Sequence, residues 1–393
     1  MVPPTQTTGR LIIGSQYFFY FAVMGVYLPF FNLYCYHIGF DAFEIGSISA
    51  IRSVVLVLFS IIWGGIADRT LTRRPLYILF NFISAGLWAF FLFTTEFWPM
   101  MAIMILYGLF YSPLIAFLEA FTMDVLRDAK SAYGKVRAWG SIAFICTVIT
   151  LGKLIAIYTI DIIIVLILAG STLQAVCAIK IPSTKAPKKA ALTSHYKSLF
   201  NRPVITFLFC AFLMLVSHGA YYGFFSIHLE RLGYDSTFIG IAWALASIAE
   251  ILVMLKSEKL LRRIALENIL TFSCLVAGLR WIALGHIQSA AAILVSQLAH
   301  AVTYGTFHMA SILYIDTMTP EDAKTTGQAI NNAVTYGLGL MAGFFLSGYL
   351  FDRVGSSYLF NLSGVIALTA GLILGMMLRK SRKHGSAQGE SSS

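Results

Sequence analysis

A small set of ionisable side chains stands inside long apolar runs of this chain: Arg52, Glu119, Arg137, Glu250, Arg280, His300 and His308. A lone charge at the centre of an apolar membrane helix costs about 2.5–3.5 kcal/mol even on insertion scales. Such residues are therefore expected to face a partner, a solute or water, and they could bind a charged solute or move protons. Glu119 lies about six residues inside one helix, or roughly 9 Å at 1.5 Å per residue. Arg137 lies only a few residues inside the next helix, so its guanidinium could approach the level of that carboxylate. The two read either as a solute-binding pair or as a structural tie across the hairpin.

The second half carries its own set. Glu250 is mid-run in Trp243-Ala244-Leu245-Ala246-Ser247-Ile248-Ala249-Glu250, Arg280 stands beside Trp281, and His300 follows in the next run. His300, Tyr304 and His308 are spaced i, i+4, i+8 and share one helix face. Imidazoles change charge near neutral pH, so Glu250, His300 and His308 are candidates for proton coupling, with plain packing as the other reading of each histidine. Arg52 has no acid in its own run. It could take a carboxylate by bidentate hydrogen bonding, or pair with Glu119 or Glu250. The embedded cations Arg52, Arg137 and Arg280 outnumber the acids Glu119 and Glu250, which favours an anionic solute. Tyr17, Tyr20, Tyr27, Tyr221, Tyr222, Trp243 and Trp281 could stack on that solute or simply pack. The substrate-binding candidates are thus Glu119, Arg137, Arg52, Arg280, Trp281 and Tyr222.

The elements that must position these residues are apolar helices. Hydrophobic residues make up 58% of the 393 and charged ones 12%, against roughly 25% charged in a soluble domain. About 20 apolar residues suffice to cross the hydrocarbon core. Spans are predicted at 11–35, 45–66, 75–94, 99–124, 137–158, 160–180, 204–229, 236–257, 268–287, 289–315, 324–351 and 357–378. The first is too long for a signal-peptide core and is expected to remain as an anchor. Residues 181–203 hold Pro182, Pro187 and Pro203 with five lysines or arginines, and separate six predicted spans from six. The expected organisation is an N-terminal bundle over 1–180, a cytoplasmic linker over 181–203, a C-terminal bundle over 204–378 and a disordered tail over 379–393. Two such bundles are suited to rocking about a shared central site.

The net charge of +10 reflects topology rather than a nucleic-acid partner. Apart from Arg52 and Arg280 inside spans, all lysines and arginines except Lys153, Arg231 and Arg353 fall on the side of the N-terminus. That bias places both termini in the cytoplasm. Cys35, Cys146, Cys177, Cys210 and Cys274 are scattered through the spans, with neither metal-ligand nor disulfide spacing.

Three motifs carry a resemblance. Gly64-Gly65-Ile66-Ala67-Asp68-Arg69-Thr70-Leu71-Thr72-Arg73-Arg74 resembles the loop between spans two and three of the major facilitator superfamily, with Leu71 where glycine is usual. The resemblance implies a gating role for Asp68, Arg69 and Arg73. Glu119-Ala120-Phe121 followed by Tyr133-Gly134-Lys135-Val136-Arg137-Ala138-Trp139-Gly140-Ser141 is similar to the phenylpropionate permease and lactose permease-like groups of that superfamily. There the corresponding Glu and Arg of the lactose permease hold sugar. The segment Gln297-Leu298-Ala299-His300-Ala301-Val302-Thr303-Tyr304-Gly305-Thr306-Phe307-His308 resembles the tenth span of the same groups, and the Arg280 to His300 interval matches the lactose permease coupling site. Thr303 stands where lactose permease has a proton-bearing Glu, so its relay does not transfer unchanged.

The resemblance implies an all-α membrane protein of twelve helices in two six-helix bundles, working by alternating access in the cytoplasmic membrane. The expected activity is proton-coupled movement of a small organic solute, an aromatic or other carboxylate, by a monomer without a cofactor. A sugar or nucleoside is the alternative solute, and export the alternative direction. A membrane-embedded transferase would need a catalytic constellation, and no metal cluster, phosphate loop or nucleophile motif is present in the sequence.

Overall fold

The computed structural model describes residues 6–70, 72–126, 132–182, 201–320 and 323–390, and these form helices joined by short turns, with no strand among the described residues. In chain order the helices are α1 (Gln6–His37), α2 (Ala42–Thr70), α3 (Arg73–Trp88), α4 (Phe97–Tyr111), α5 (Leu114–Leu126), α6 (Tyr133–Ile157), α7 (Ile162–Ala178), α8 (Arg202–Arg231), α9 (Ser236–Arg263), α10 (Leu266–His286), α11 (Ala290–Leu298), α12 (Phe307–Met318), α13 (Lys324–Asn332) and α14 (Leu340–Glu390). Ten helical stretches are long and apolar enough to cross a bilayer, and Ile162–Ala178 is a shorter apolar helix. The longest stretch is broken at Gly355, whose φ of 81° only a residue without Cβ adopts readily. Helix is the expected state because every amide within lipid must be satisfied inside its own segment.

Several predicted spans are not single regular helices. Pro113 ends α4, since it lacks an amide hydrogen and crowds the carbonyl four residues back. That carbonyl, of Leu109, accepts instead from the Trp63 indole at 3.0 Å and the Ser112 hydroxyl at 3.1 Å. Glu119 therefore belongs to a separate helix, α5. The tenth and eleventh predicted spans each contain a π-helical turn, Ala301–Thr306 and Ala333–Gly339. Beyond Gly355 helix α14 runs on to Glu390, through the segment expected as a disordered tail. Arg379, Lys380, Arg382 and Lys383 are good helix formers and can extend an apolar helix that has already started. The expected linker over 181–203 lies largely outside the described residues, as do 391–393.

One turn is built twice. After α1, Gly39 has φ 98°, and the Phe40 amide reaches the Cys35 carbonyl at 3.0 Å while that of Gly39 reaches Tyr36. After α8, Gly233 has φ 89°, and the Tyr234 amide reaches the Leu229 carbonyl at 3.1 Å while that of Gly233 reaches Glu230. Both are helix ends closed by a left-handed glycine. An aspartate follows each and caps the next helix: Asp41 accepts from the Glu44 amide at 2.8 Å and Asp235 from the Phe238 amide at 2.9 Å. Glu44 also reaches back to the Asp41 amide at 3.1 Å, closing a capping box. The pairs Gly39/Gly233, Phe40/Tyr234, Asp41/Asp235, Ile45/Ile239 and Gly46/Gly240 mark a repeat between the two halves of the chain.

Contacts group the chain into two compact units, Met1–Ala190 with Tyr222–Ala244, and Ala191–Tyr221 with Leu245–Ser393. The division departs from the expected bundles because Tyr222–Ala244 groups with the first unit. Backbone approach explains this: a methyl on Gly152 of α6 would sit 2.5 Å from the Ser236 carbonyl oxygen, and one on Gly240 would strike the Val148 carbonyl. In the second unit α8 and α14 meet through Gly219 and Gly343, where a Cβ on Gly219 would fall into the Gly343 backbone. Small residues allow this approach where lipid supplies no hydrophobic drive between helices. Gly219→Ala is accordingly expected to lower stability by about 1–3 kcal/mol through overpacking, read as a lower melting temperature in detergent. Gly86→Ala, which meets nothing within 4 Å, should leave the melting temperature unchanged or raise it.

Candidate functional site

Within the first unit, α2 carries Arg52 among aromatic rings. Its guanidinium carbon lies 4.1 Å from the centre of the Tyr27 ring, and Nη2 is 3.9 Å from the Met24 sulfur. Its charge also acts on the hydroxyls of Tyr20, Tyr107 and Tyr111. Those three rings form a stack, Tyr20 on Tyr111 at 5.3 Å and Tyr111 on Tyr107 at 4.9 Å between centroids. Ring faces are electron-rich and hold a guanidinium without neutralising it. No carboxylate among the described residues of the first unit lies within ion-pair distance of Arg52, so the alternative pairing with Glu119 does not occur.

Glu119 of α5 and Arg137 of α6 make no direct ion pair in this structure. The Arg137 guanidinium instead lies over Phe21 at 4.0 Å and Tyr17 at 5.3 Å. Gly140 makes room for it, because a methyl there would come 2.9 Å from Nη1 and 2.6 Å from Phe21. Tyr17 accepts from Thr122 at 3.1 Å and feels the charges of both Glu119 and Arg137. The two opposite charges thus both act on one buried phenol without a direct pair between them.

The second unit holds a tighter constellation. Arg280, only 4% exposed on α10, donates from Nη1 to His300 Nδ1 at 3.1 Å and to the Thr303 hydroxyl at 3.0 Å. Its Nη2 donates to the Gln297 amide oxygen at 2.8 Å, which also accepts from Tyr221 at 2.9 Å. Tyr221 and Trp281 flank the guanidinium at 4.6 and 4.7 Å. Trp281 itself is fully buried, with its indole on Ser217 at 3.3 Å, so in this conformation it supports Arg280 from behind. A guanidinium has only donors, so His300 accepts at Nδ1 and carries its proton on Nε2. That nitrogen is 3.7 Å from the Glu250 carboxylate, which is 23% exposed. Gly305, inside the first π-helical turn, leaves space for Glu250: a methyl there would lie 3.3 Å from its Cγ. His300, Tyr304 and His308 do share a face, their rings stacked at 5.3 and 5.7 Å and within 4° and 2° of parallel.

The remaining candidates lie apart from these clusters. Tyr222 stacks on Trp243 at 6.2 Å in the first unit. Arg69 is exposed, the side chain of Asp68 lies outside the described part, and Arg73 forms an ion pair with Asp124 of α5 at 3.0 Å. Arg74 donates to the carbonyls of Ile181 and Ile179 at 2.8 and 2.9 Å, closing the end of α7.

Sequence reasoning missed several of these partners. Asp124, an acid in the last turn of the fourth span, could have been found by its position at the basic edge. Gln297 and Thr303 could have been found by their helical spacing around His300. Tyr107 and Tyr111 share a face at i, i+4, yet nothing in their spacing points to Arg52. Tyr336, which meets His308 from a distant segment, carries no local signal at all.

Comparison with known proteins follows the same lines. The family model described as "MFS_1 like family" matches residues 11–362. The chain is 28% identical over 376 residues to the probable 3-phenylpropionic acid transporter of Escherichia coli (strain K12), covering 93% of this chain and 96% of that one. It is 23% identical over 383 residues to the maltose permease of Geobacillus stearothermophilus, covering 96% of both. Among solved structures, one crystal structure of the nucleoside transporter NupG superposes with a TM-score of 0.80 at 17% identity, covering 94% of this chain and 98% of that chain. A family match from the first predicted span into the last, apolar helices of spanning length and charges held at depth agree. The chain belongs to the MFS_1 like family, and is an integral membrane transporter of the major facilitator fold rather than an enzyme.

Proposed function

We propose that this transporter moves a small organic carboxylate together with protons across the cytoplasmic membrane by alternating access, as a monomer with twelve crossings and both termini in the cytoplasm. The observation that carries the substrate class is Arg52, an embedded guanidinium that rings hold and no described carboxylate of the first unit neutralises. A solute carboxylate would supply the missing negative charge through a bidentate pair, and the stacked Tyr20 and Tyr111 offer flat apolar surface for an aromatic body. The similarity to a probable 3-phenylpropionic acid transporter supports this class.

Proton coupling rests on Glu250 and His300. Arg280 occupies the Nδ1 lone pair of His300, so a second proton there would cost that hydrogen bond. We assign proton carriage to Glu250, whose carboxylate is 23% exposed, with His300 facing it from Nε2 at 3.7 Å. At the cytoplasmic edge, Asp68, Arg69 and Arg73 belong to the gate, and the Arg73–Asp124 pair anchors that loop to α5. A hydroxyl-rich solute, sugar or nucleoside, is the second reading, favoured by Glu119 and Arg137 standing free of a direct pair with each other and by the similarities to a maltose permease and to NupG.

Arg52→Lys retains the charge and loses the fork. It is expected to weaken binding of 3-phenylpropionate by roughly 10–100-fold, the equivalent of one charged hydrogen bond of about 1.5–3 kcal/mol, measured by thermal shift and titration in detergent. Unchanged affinity in the variant, or binding of maltose or uridine in place of the acid, would shift the assignment to the second reading. Glu250→Gln should retain solute exchange between equal compartments and lose accumulation driven by an imposed pH gradient in vesicles. Full accumulation by that variant would remove Glu250 as the carrier.

A further inference from the structure

The far end of the ring column has a role that the binding reading leaves open. His308 is hydrogen-bonded through Nδ1 to the hydroxyl of Tyr336. Tyr336 belongs to the second π-helical turn and Tyr304 to the first. The Tyr336 ring stands edge-on to both Tyr304 and His308, at 6.3 and 5.6 Å. Glu250 reaches the same group beside Tyr304, where a methyl on the adjacent Gly305 would lie 3.3 Å from its Cγ. Two π-helical turns on different elements thus converge on one pair of hydroxyls, and such turns are frequent at functional sites. Tyr304, His308 and Tyr336 are all half-buried rather than sealed in packing.

We propose that Tyr304 and Tyr336 form a proton relay between Glu250 and His308, and that His308 is the group from which the proton leaves. The proposal rests on the proton-coupled reading above. A proton from the Glu250 carboxyl is taken up by the Tyr304 oxygen as that hydroxyl passes its own proton to Tyr336. Tyr336 in turn passes its proton to Nδ1 of His308. The step leaves a carboxylate at Glu250 and an imidazolium at His308, and neither phenol is charged before or after. His308 then loses its Nε2 proton to water and keeps the new one on Nδ1; exchange of the ring protons with water restores the Nε2–H form, after which the hydroxyls rotate back.

The groups around the path favour this direction. Arg280 of α10 lies against His300, so a proton resting on His300 would meet a fixed positive charge at hydrogen-bond distance. His218 and Tyr221 of α8 border the same end, the Tyr221 ring tilted by 36° against His300 at 5.5 Å and His218 lying 6.4 Å from the Tyr304 ring. His308 is two helical turns away from Arg280's partner His300, beyond Tyr304, and its ring contacts are the neutral phenols. A positive charge is therefore easier to form at His308 than at His300.

The test uses the full chain in proteoliposomes with an acid exterior, and as probe the first of 3-phenylpropionate, maltose and uridine that the wild type accumulates. Tyr336→Phe keeps the ring and removes only the hydroxyl. It is expected to cut gradient-driven accumulation by about 100-fold, the lower end of what a positioned proton-transfer group contributes, with exchange between equal compartments unchanged. Tyr304→Phe should do the same. Accumulation like the wild type in both variants would overturn the relay and leave the symport reading standing. Loss of exchange together with accumulation in both would show a structural role and also overturn it. A wild type that accumulates none of the three probes would overturn the symport reading, and the relay with it.

Discussion

A charge placed inside an apolar helix must find compensation, and in this protein the kind of compensation differs from one arginine to the next. Arg280 is held by three neutral acceptors and two ring faces, so its hydrogen-bonding directions are largely spoken for. Arg52 and Arg137 are held chiefly by rings. A ring face stabilises a cation by about 0.5–2 kcal/mol, which is less than the cost of a lone charge at depth. The difference is available to an incoming anion. This distinction separates a residue that organises its surroundings from residues that can receive a solute.

The same constraint shapes the helices. Membrane helices satisfy their own amides, so every interruption has to be repaired locally. At Pro113 the repair comes from Trp63 and Ser112. Around His300 and Tyr336 the interruption takes the form of two π-helical turns, and there the loosened backbone carries polar side chains instead of extra apolar ones. The irregular segments carry Tyr304 and Tyr336, while regular helices such as α6 and α10 combine close glycine contacts with the embedded Arg137 and Arg280.

Most of the fold was legible because apolar run length and the basic edge of the membrane are strong, local signals. The apolar runs, the basic loop after α2 and the shared face of His300, Tyr304 and His308 needed only spacing. The breaks within the fourth, tenth and eleventh spans were not foreseen, although Pro113 announced the first of them. The repeated glycine–aspartate turn at Gly39-Asp41 and Gly233-Asp235 is also carried by local sequence, as Gly-x-Asp at the end of two apolar runs. Partnerships were harder. Depth along a helix placed Glu119 near Arg137, but not the rotamer that lays the guanidinium on Phe21. The ring of tyrosines around Arg52 depends on how α1, α2 and α4 pack, which periodicity does not encode.

The central claim is that an uncompensated guanidinium at Arg52 awaits the negative charge of the solute. An experimental structure of the protein with 3-phenylpropionate tests it most directly. The account predicts both carboxylate oxygens at about 2.7–2.9 Å from the Arg52 nitrogens, the distance of a charge-assisted pair, with the phenyl ring against Tyr20 or Tyr111. A bound carboxylate lying elsewhere, with Arg52 still facing only its tyrosines, would contradict it.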